Sequence, residues 1–333
     1  MQTGDDLTID KLINLHNAIA RLLRKLDTPT GIELAVRRFK MNAERLAMTS
    51  SLPWELMHDY VIHGFVMHAA VRKASNGRVW SFDDLTNGQQ RLAVKYCKEM
   101  GQELEEKAAK KRGIERALSI SNAKAAFKRA VSQSPLSHRT GLCALMASII
   151  VGAWTAFEAI TEDLWVAALN VRPTLALVAM DAEIKQSDKE KERRRKEGVK
   201  LSLPIWKAME PNYNISEHLG DLTRDCHDWS RRGDAQRAYE KVFPAFGVQL
   251  ESIFQSSGLK WLNATRNAIV HNRSVADNEF VKLVGAHPHL KVIADGTEIP
   301  IDGAITYELS MAGIKSCINI IDFVGQRIKS IAQ

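Results

Sequence analysis

Trp261-Leu-Asn-Ala-Thr-Arg266-Asn267-Ala-Ile-Val-His271-Asn272 is the stretch on which the reading of this chain turns. On a helix Asn263, Asn267 and His271 are four apart and form one stripe, while Arg266 lies roughly 140° round from His271. Ala264, Ala268, Ile269 and Val270 supply most of the packing faces. A polar ridge on an otherwise apolar helix requires partners or a function, because an unpaired buried polar group costs about 1–3 kcal/mol.

Outward from that ridge the chain reads as mostly α. Gly and Pro account for 28 of 333 residues, about 8% against a usual ~12%, which favours helix over turn-rich β architecture. Apolar residues recur at helical spacing from Leu7 to Leu26, and Asp27-Thr-Pro-Thr-Gly31 stops that pattern. A second helix covers Ile32 to Met48, and a third starts at Ser51 with Pro53 in its first turn. After the Asn76-Gly77 turn and a short extended piece, a long polar helix runs from Asn87 to Lys111. Further helices are expected over 137–170, Ile215–Tyr239, Phe243–Asn272 and Ser310–Ile331, the last with Ile314, Cys317, Ile318, Ile321, Val324 and Ile328 on one face. Asp295-Gly296 between two apolar runs predicts a β-hairpin over 290–301.

Ser134-Pro135 separates an N-terminal helical region, 1–135, from a C-terminal bundle, 136–333, that carries a charged insertion at 184–200. Gly141 to Phe157 is uncharged and approaches the minimum length of a membrane span. Its Gly141, Ser148, Gly152 and Thr155, and the Glu158 that comes next, fit a helix buried within a bundle or dimer better. The acidic start, MQTGDDLTID, has no basic leader, and Cys97, Cys143, Cys226 and Cys317 form no C-x-x-C pair. A cytoplasmic protein with free buried thiols, without a membrane partner, is expected.

The formal charge is +7. Between Arg91 and Ala130 eleven Lys or Arg stand against five Glu, a net of +6, so most of the excess sits in one segment. Lys107, Lys110, Lys111, Arg112, Arg116, Lys124, Lys128 and Arg129 are its RNA-binding candidates, with a solvated helix face as the alternative reading. The run at 184–200 has eight basic and four acidic residues and reads as a solvated extension.

Arg266-Asn267-Ala-Ile-Val-His271 resembles the motif of the HEPN domains, helical bundles whose nuclease members carry an Arg, a polar residue, three variable residues and a His. Asn272 and Val275-Ala-Asp277 downstream are similar to the family, as is Trp154-Thr-Ala-Phe157-Glu158 upstream. The nearest branch is the RiboL-PSP-HEPN or MAE type. The resemblance covers roughly 137–332 and none of 1–135. It implies an endoribonuclease needing no metal or cofactor, with Arg266, His271 and Asn267 catalytic and Glu158, Asn263 and Asn272 supporting. Products would be a 2′,3′-cyclic phosphate or 3′-phosphate and a 5′-hydroxyl. Two motif helices would face each other across a homodimer, and a bacterial toxin, antiphage or abortive-infection role goes with that chemistry. RNA, transfer RNA included, would be the substrate, and an antitoxin or regulator a further partner.

The chemistry suits these residues: histidine titrates near neutrality and can move the 2′-hydroxyl proton, and arginine is a permanently charged fork for phosphate oxygens. Glu158 either orients Arg266 or His271 or is a buried acid paired for structural reasons. His58, His63 and His68 are five apart and cannot share a helix face. His227 near Asp225 and Asp228 reads as a local pair on a solvated helix, and His287-Pro-His289 as a loop. No Walker-type loop or Gly-x-Ser-x-Gly elbow is present. The rival readings are a non-catalytic helical dimer in which the same residues form a structural polar seam, and an RNA-binding module in which the 91–130 segment is the active part.

Overall fold

The computed structural model describes residues 4–79, 81–110, 136–175, 217–224, 227–290 and 293–332. Regular structure among them is helical throughout: α1 (Gly4–Lys25), α2 (Glu33–Ala74), α3 (Asn87–Lys110), α4 (Leu136–Val171), α5 (Leu219–Thr223), α6 (Arg232–Val242), α7 (Gly247–Phe254), α8 (Ser257–His271), α9 (Asn278–Val284) and α10 (Gly303–Ala332). The chain divides into two compact units, one of Met1–Ile13 with Ser50–Leu142 and the other of Asn14–Thr49 with Cys143–Gln333. The boundary expected at Ser134-Pro135 lies outside the described residues.

In the first unit Val71, Ala74, Leu85 and Ala93 form a small core with Met67, Val79, Phe82 and Tyr96 packed against it. Asn76 and Gly77 take left-handed φ of 51° and 79° and turn the chain out of α2. Ahead of α3, Gln89 reaches back to accept the Thr86 N–H at 3.1 Å, one half of a capping box.

The second unit is built on α4. Ile149, Ile150, Trp154, Phe157, Ile160, Leu164 and Trp165 are all buried on it. Thr140–Val171 is long and apolar enough to cross a bilayer, and 44% of its most apolar window is buried within the protein. Aromatic contacts carry the core outward, with ring centroids 5.9 Å apart for Phe157–Phe254, 5.7 Å for Tyr239–Phe254 and 5.5 Å for Phe243–Phe323. The Tyr239 hydroxyl donates to the Thr161 carbonyl at 2.7 Å, so the one polar atom of that row has a partner. Leu15, Ile19, Leu23 and Leu26 of the first helical pattern are buried here, and so are Ile314, Cys317, Ile321, Val324 and Ile328 of α10. Cys143, in contrast, is exposed and Cys97 half-buried, so burial of the thiols holds for Cys317 alone among the described cysteines.

Three segments differ from the sequence expectation. The two helices anticipated on either side of Ser51 are one, α2, with Pro53 inside it. A proline there deprives only the Thr49 carbonyl of its helical donor, and the two units divide at that same peptide, between Thr49 and Ser50. The helix anticipated over Ile215–Tyr239 is broken at 227–231, because His227 and Trp229 turn inward onto Trp165 with centroids 5.0 and 5.4 Å from its ring. The one anticipated over Phe243–Asn272 is broken at Gln255–Ser256, where the Arg232 Nη1 donates to the Phe254 carbonyl at 2.6 Å and ends α7.

At 290–301 the Asp-Gly turn is present, with Gly296 at φ 76°. Thr297 bonds the Ala294 carbonyl across the turn, through N–H at 3.3 Å and Oγ1 at 2.6 Å, and residues 297–299 also pair with 274–276: Ala276 donates to Thr297 at 2.8 Å, Ile299 donates to Ser274 at 2.8 Å, and Val275–Glu298 is an isolated antiparallel bridge. Residues 291 and 292 lie outside the described residues, as does the charged insertion.

α5 lies so close to α4 that a Cβ on Gly220 would stand 2.2 Å from the Val166 carbonyl oxygen. The Gly220 N–H donates to Asn170 Oδ1 at 2.6 Å across the same gap. Ala is ordinarily favoured over Gly in a helix by about 1 kcal/mol. Gly220→Ala is nevertheless expected to destabilise by roughly 1–3 kcal/mol through overpacking against backbone, whereas Gly233→Ala in α6, with nothing within 4 Å, should be neutral or stabilising. Equal urea midpoints for the two variants would contradict this packing.

Candidate active site

α8 presents the polar ridge. Leu259, Leu262, Ala264, Thr265 and Ala268 are buried, and the helix packs along α10. Asn263 is half-buried, and Asn267 and His271 are exposed. The Asn272 N–H and the Ser274 N–H both donate to the Ala268 carbonyl at 3.0 Å, which ends the helix directly after His271.

Arg273 and Ser274 then take left-handed φ of 55° and 63°, a conformation that costs a non-glycine residue about 1–3 kcal/mol. Contacts on both sides hold it. Asn272 Nδ2 donates to Asp277 Oδ2 at 2.7 Å, and Asp277 Oδ1 accepts the Phe280 N–H at 2.7 Å as the N-cap of α9. That backbone bond, ahead of the Asn272 contact, holds the Asp277 carboxyl below its ordinary range. Asn272 therefore acts on the turn that fixes His271 and is directed at Asp277.

Arg266 spans the 140° that separates it from His271. Its Nη1 donates to Asn267 Oδ1 at 3.0 Å and lies 3.3 Å from His271 Nε2. Its Nη2 stands 3.9 Å from Glu158 Oε1 on α4. A guanidinium can only donate, so a hydrogen bond between the two would have His271 Nε2 as its acceptor. The Trp154 indole N–H donates to the same Glu158 oxygen from one turn away. Four of the residues expected at the site, Arg266, Asn267, His271 and Glu158, are thus brought together from two helices. Asn263 and Asn272 flank them.

Burial pushes the Glu158 carboxyl above its ordinary pKa. The Trp154 hydrogen bond and the Arg266 charge oppose that shift, while Asp228 and Glu162 reinforce it. A carboxyl raised in the fold binds protons more readily there than in the unfolded chain. Its contribution to stability is therefore most favourable at low pH and is lost as pH climbs through the folded value. Glu158→Gln, which keeps the acceptor for Trp154, is expected to leave Tm at pH 7 unchanged or raised and to flatten the pH dependence above about pH 4. A lower Tm at pH 7 would mean that the Arg266 attraction outweighs the desolvation.

Arg224 and Arg231, some forty residues from the ridge and without a signal in the sequence, pair with acids near this site, one of them the Asp228 read with His227. Arg224 Nε pairs with Glu162 on α4, and Arg231 Nε pairs with Asp228 at 3.1 Å. His227, expected on a solvated helix, is instead buried between Trp165 and Trp229. His287 is fully buried edge-on to Trp261 at 4.6 Å, accepting the His289 N–H at Nδ1 and facing Glu308 at 3.6 Å. Burial lowers its pKa, with Glu308 opposing.

Of the basic candidates, Lys107 and Lys110 end α3 with side chains outside the described set. Lys111, Arg112, Arg116, Lys124, Lys128 and Arg129 lie outside the described residues altogether. Among the described residues no three His, Cys, Asp or Glu converge as a metal site would require. Comparison with family models, curated proteins and solved structures finds no match to this chain.

Proposed function

We propose that this chain is an endoribonuclease of HEPN type, independent of metal, that cleaves RNA through Arg266 and His271. The observation that carries this reading is the contact between Arg266 and His271, backed by Asn267 and Glu158. RNA supplies its own nucleophile. His271 removes the 2′-hydroxyl proton, the 2′-oxygen bonds to phosphorus, and the bond from phosphorus to the 5′-oxygen breaks. A 2′,3′-cyclic phosphate and a 5′-hydroxyl result, the leaving oxygen taking up one proton. Arg266 matches the charge that builds on the non-bridging oxygens.

In an in-line displacement the base and the acid stand on opposite sides of the phosphorus, so a single His271 cannot serve both at once. A homodimer supplies the second. The exposed side of α4, with Gly141, Ala144, Ser148 and Thr155, leads along the helix to Glu158 and is where a second copy would dock. Toxin, antiphage or abortive-infection action in the cytoplasm, restrained by an antitoxin or regulator, is the setting we propose. The structural-seam reading draws on one observation, that Arg266 already has partners inside the protein. Incubation of the purified protein with single-stranded or transfer RNA in EDTA separates the two: cleavage is expected, and intact RNA would favour the seam.

A further inference from the structure

We propose that Arg273 binds the RNA phosphate that neighbours the scissile one along the strand. This rests on the ribonuclease reading above and deepens it, because that reading gives a cationic partner to one phosphate only. Arg266 is 20% exposed and is engaged by Asn267, His271 and Glu158, so its fork is committed at the point of cleavage. A strand carries further phosphates on either side, and each needs its own donor.

The Arg273 side chain is exposed and, among the described residues, makes no hydrogen bond, ion pair or ring contact. The next carboxylate along the chain, Asp277, is occupied elsewhere, its Oδ2 by Asn272 Nδ2 and its Oδ1 by the Phe280 N–H. The backbone of Arg273 is the second observation. Its φ of 55°, directly past the end of α8, is a conformation that glycine or asparagine adopts most readily. An arginine makes that turn harder, and its side chain adds no contact to the fold. Strain kept at an exposed charged residue, two positions from His271, points to what the side chain does outside the protein.

The turn also fixes where the side chain starts. The Ser274 N–H donates to the Ala268 carbonyl at 3.0 Å, the Ser274 carbonyl accepts the Ile299 N–H at 2.8 Å, and the Asn272 carbonyl accepts the Val275 N–H at 2.9 Å. Had α8 continued, position 273 would stand about 200° round from His271, on the opposite face. Ending the helix removes that separation. Two residues of chain put the Cα atoms of His271 and Arg273 at most about 7 Å apart, and the arginine stem adds a comparable reach. A fork that takes phosphate bidentately is thereby tethered within one nucleotide of the histidine.

The test uses the full chain and a fluorescently labelled, short 2′-O-methyl oligouridylate, which has no free nucleophile and cannot be cleaved. Anisotropy titrations from about 50 to 200 mM KCl give affinity and its salt slope. Arg273→Asn, which suits the left-handed backbone, is expected to bind several-fold more weakly, with a slope shallower by about 0.7, the increment for one phosphate contact on a single strand. Its Tm should be unchanged or raised. Arg273→Lys keeps the charge and should keep the slope, and Arg37→Gln, at an exposed arginine of α2, should change neither affinity nor slope. A wild-type slope in Arg273→Asn, a slope in Arg273→Lys as shallow as in Arg273→Asn, or a wild-type protein that does not bind the probe would overturn the contact. Cleavage of the matching unmodified RNA is followed in parallel. Arg273→Asn should raise KM several-fold and leave kcat near wild type, as loss of uniform binding does; a fall in kcat as large as that of His271→Ala would overturn the assignment to a neighbouring phosphate. Cleavage with binding that ignores Arg273 removes this contact and keeps the ribonuclease, and binding that depends on Arg273 without cleavage does the reverse.

Discussion

Arg266→Ala and His271→Ala are each expected to reduce RNA cleavage by about 10²–10⁴-fold, the usual worth of a positioned acid–base or charge-stabilising group. His271 is exposed at the end of α8, so its removal should shift stability by less than about 0.5 kcal/mol. Arg266 differs, because its loss leaves Glu158 in a half-buried pocket without its counter-charge. A modest fall in Tm should accompany that variant, and Arg266→Ala combined with Glu158→Gln should recover the Tm without recovering activity. Arg266→Lys keeps the charge but loses the fork that reaches Glu158 and His271 at once, so it should not rescue cleavage. Groups that act as a unit are not additive; the double variant of Arg266 and His271 is expected to be no slower than the worse single one. Initial rates on a fluorogenic RNA with circular-dichroism melts on the same samples check all of this.

Trp165→Ala has the largest expected effect on stability, about 3–5 kcal/mol. The side chain is fully buried, its ring packs on His227 and Trp229, and its indole N–H reaches the Ala238 carbonyl at 3.4 Å. Removing it opens a cavity under the 227–231 segment and frees the loop that bears Arg224 and Arg231. Urea unfolding should give a much lower midpoint. Trp165→Phe should recover part of the loss, since it refills most of the volume but not the hydrogen bond. A loss under about 1 kcal/mol for the alanine variant, the range of a surface substitution, would mean that this loop is not pinned as described.

Helical periodicity made α1, α4 and α10 legible, because their buried faces repeat at three and four residues over long spans. Arg266, Asn267 and His271 were legible for a similar reason: they are close on one helix, and polar side chains on an otherwise apolar element stand out. Where tertiary contacts decide, local pattern fails. Pro53 reads as a helix start, yet one lost hydrogen bond is insufficient to stop α2. The 215–239 stretch reads as one helix, yet burying Trp229 against Trp165 outweighs its continuity. Asp295-Gly296 correctly marks a turn, but the alternation of apolar residues does not say that 297–299 pairs with 274–276. Arg224 looks like any surface arginine until the fold sets it against Glu162 on α4, one turn from Glu158. The basic excess of 91–130, conspicuous in the sequence, falls mostly outside the described residues.

The ends of the RNA fragments test the central claim most directly. Mass spectrometry of the products made by the wild-type chain in EDTA is expected to find 2′,3′-cyclic phosphate, or the 3′-phosphate it opens to, paired with 5′-hydroxyl, and no such fragments from His271→Ala. Fragments with 3′-hydroxyl and 5′-phosphate ends, or equal yields from the two proteins, would contradict cleavage by 2′-hydroxyl attack at Arg266 and His271.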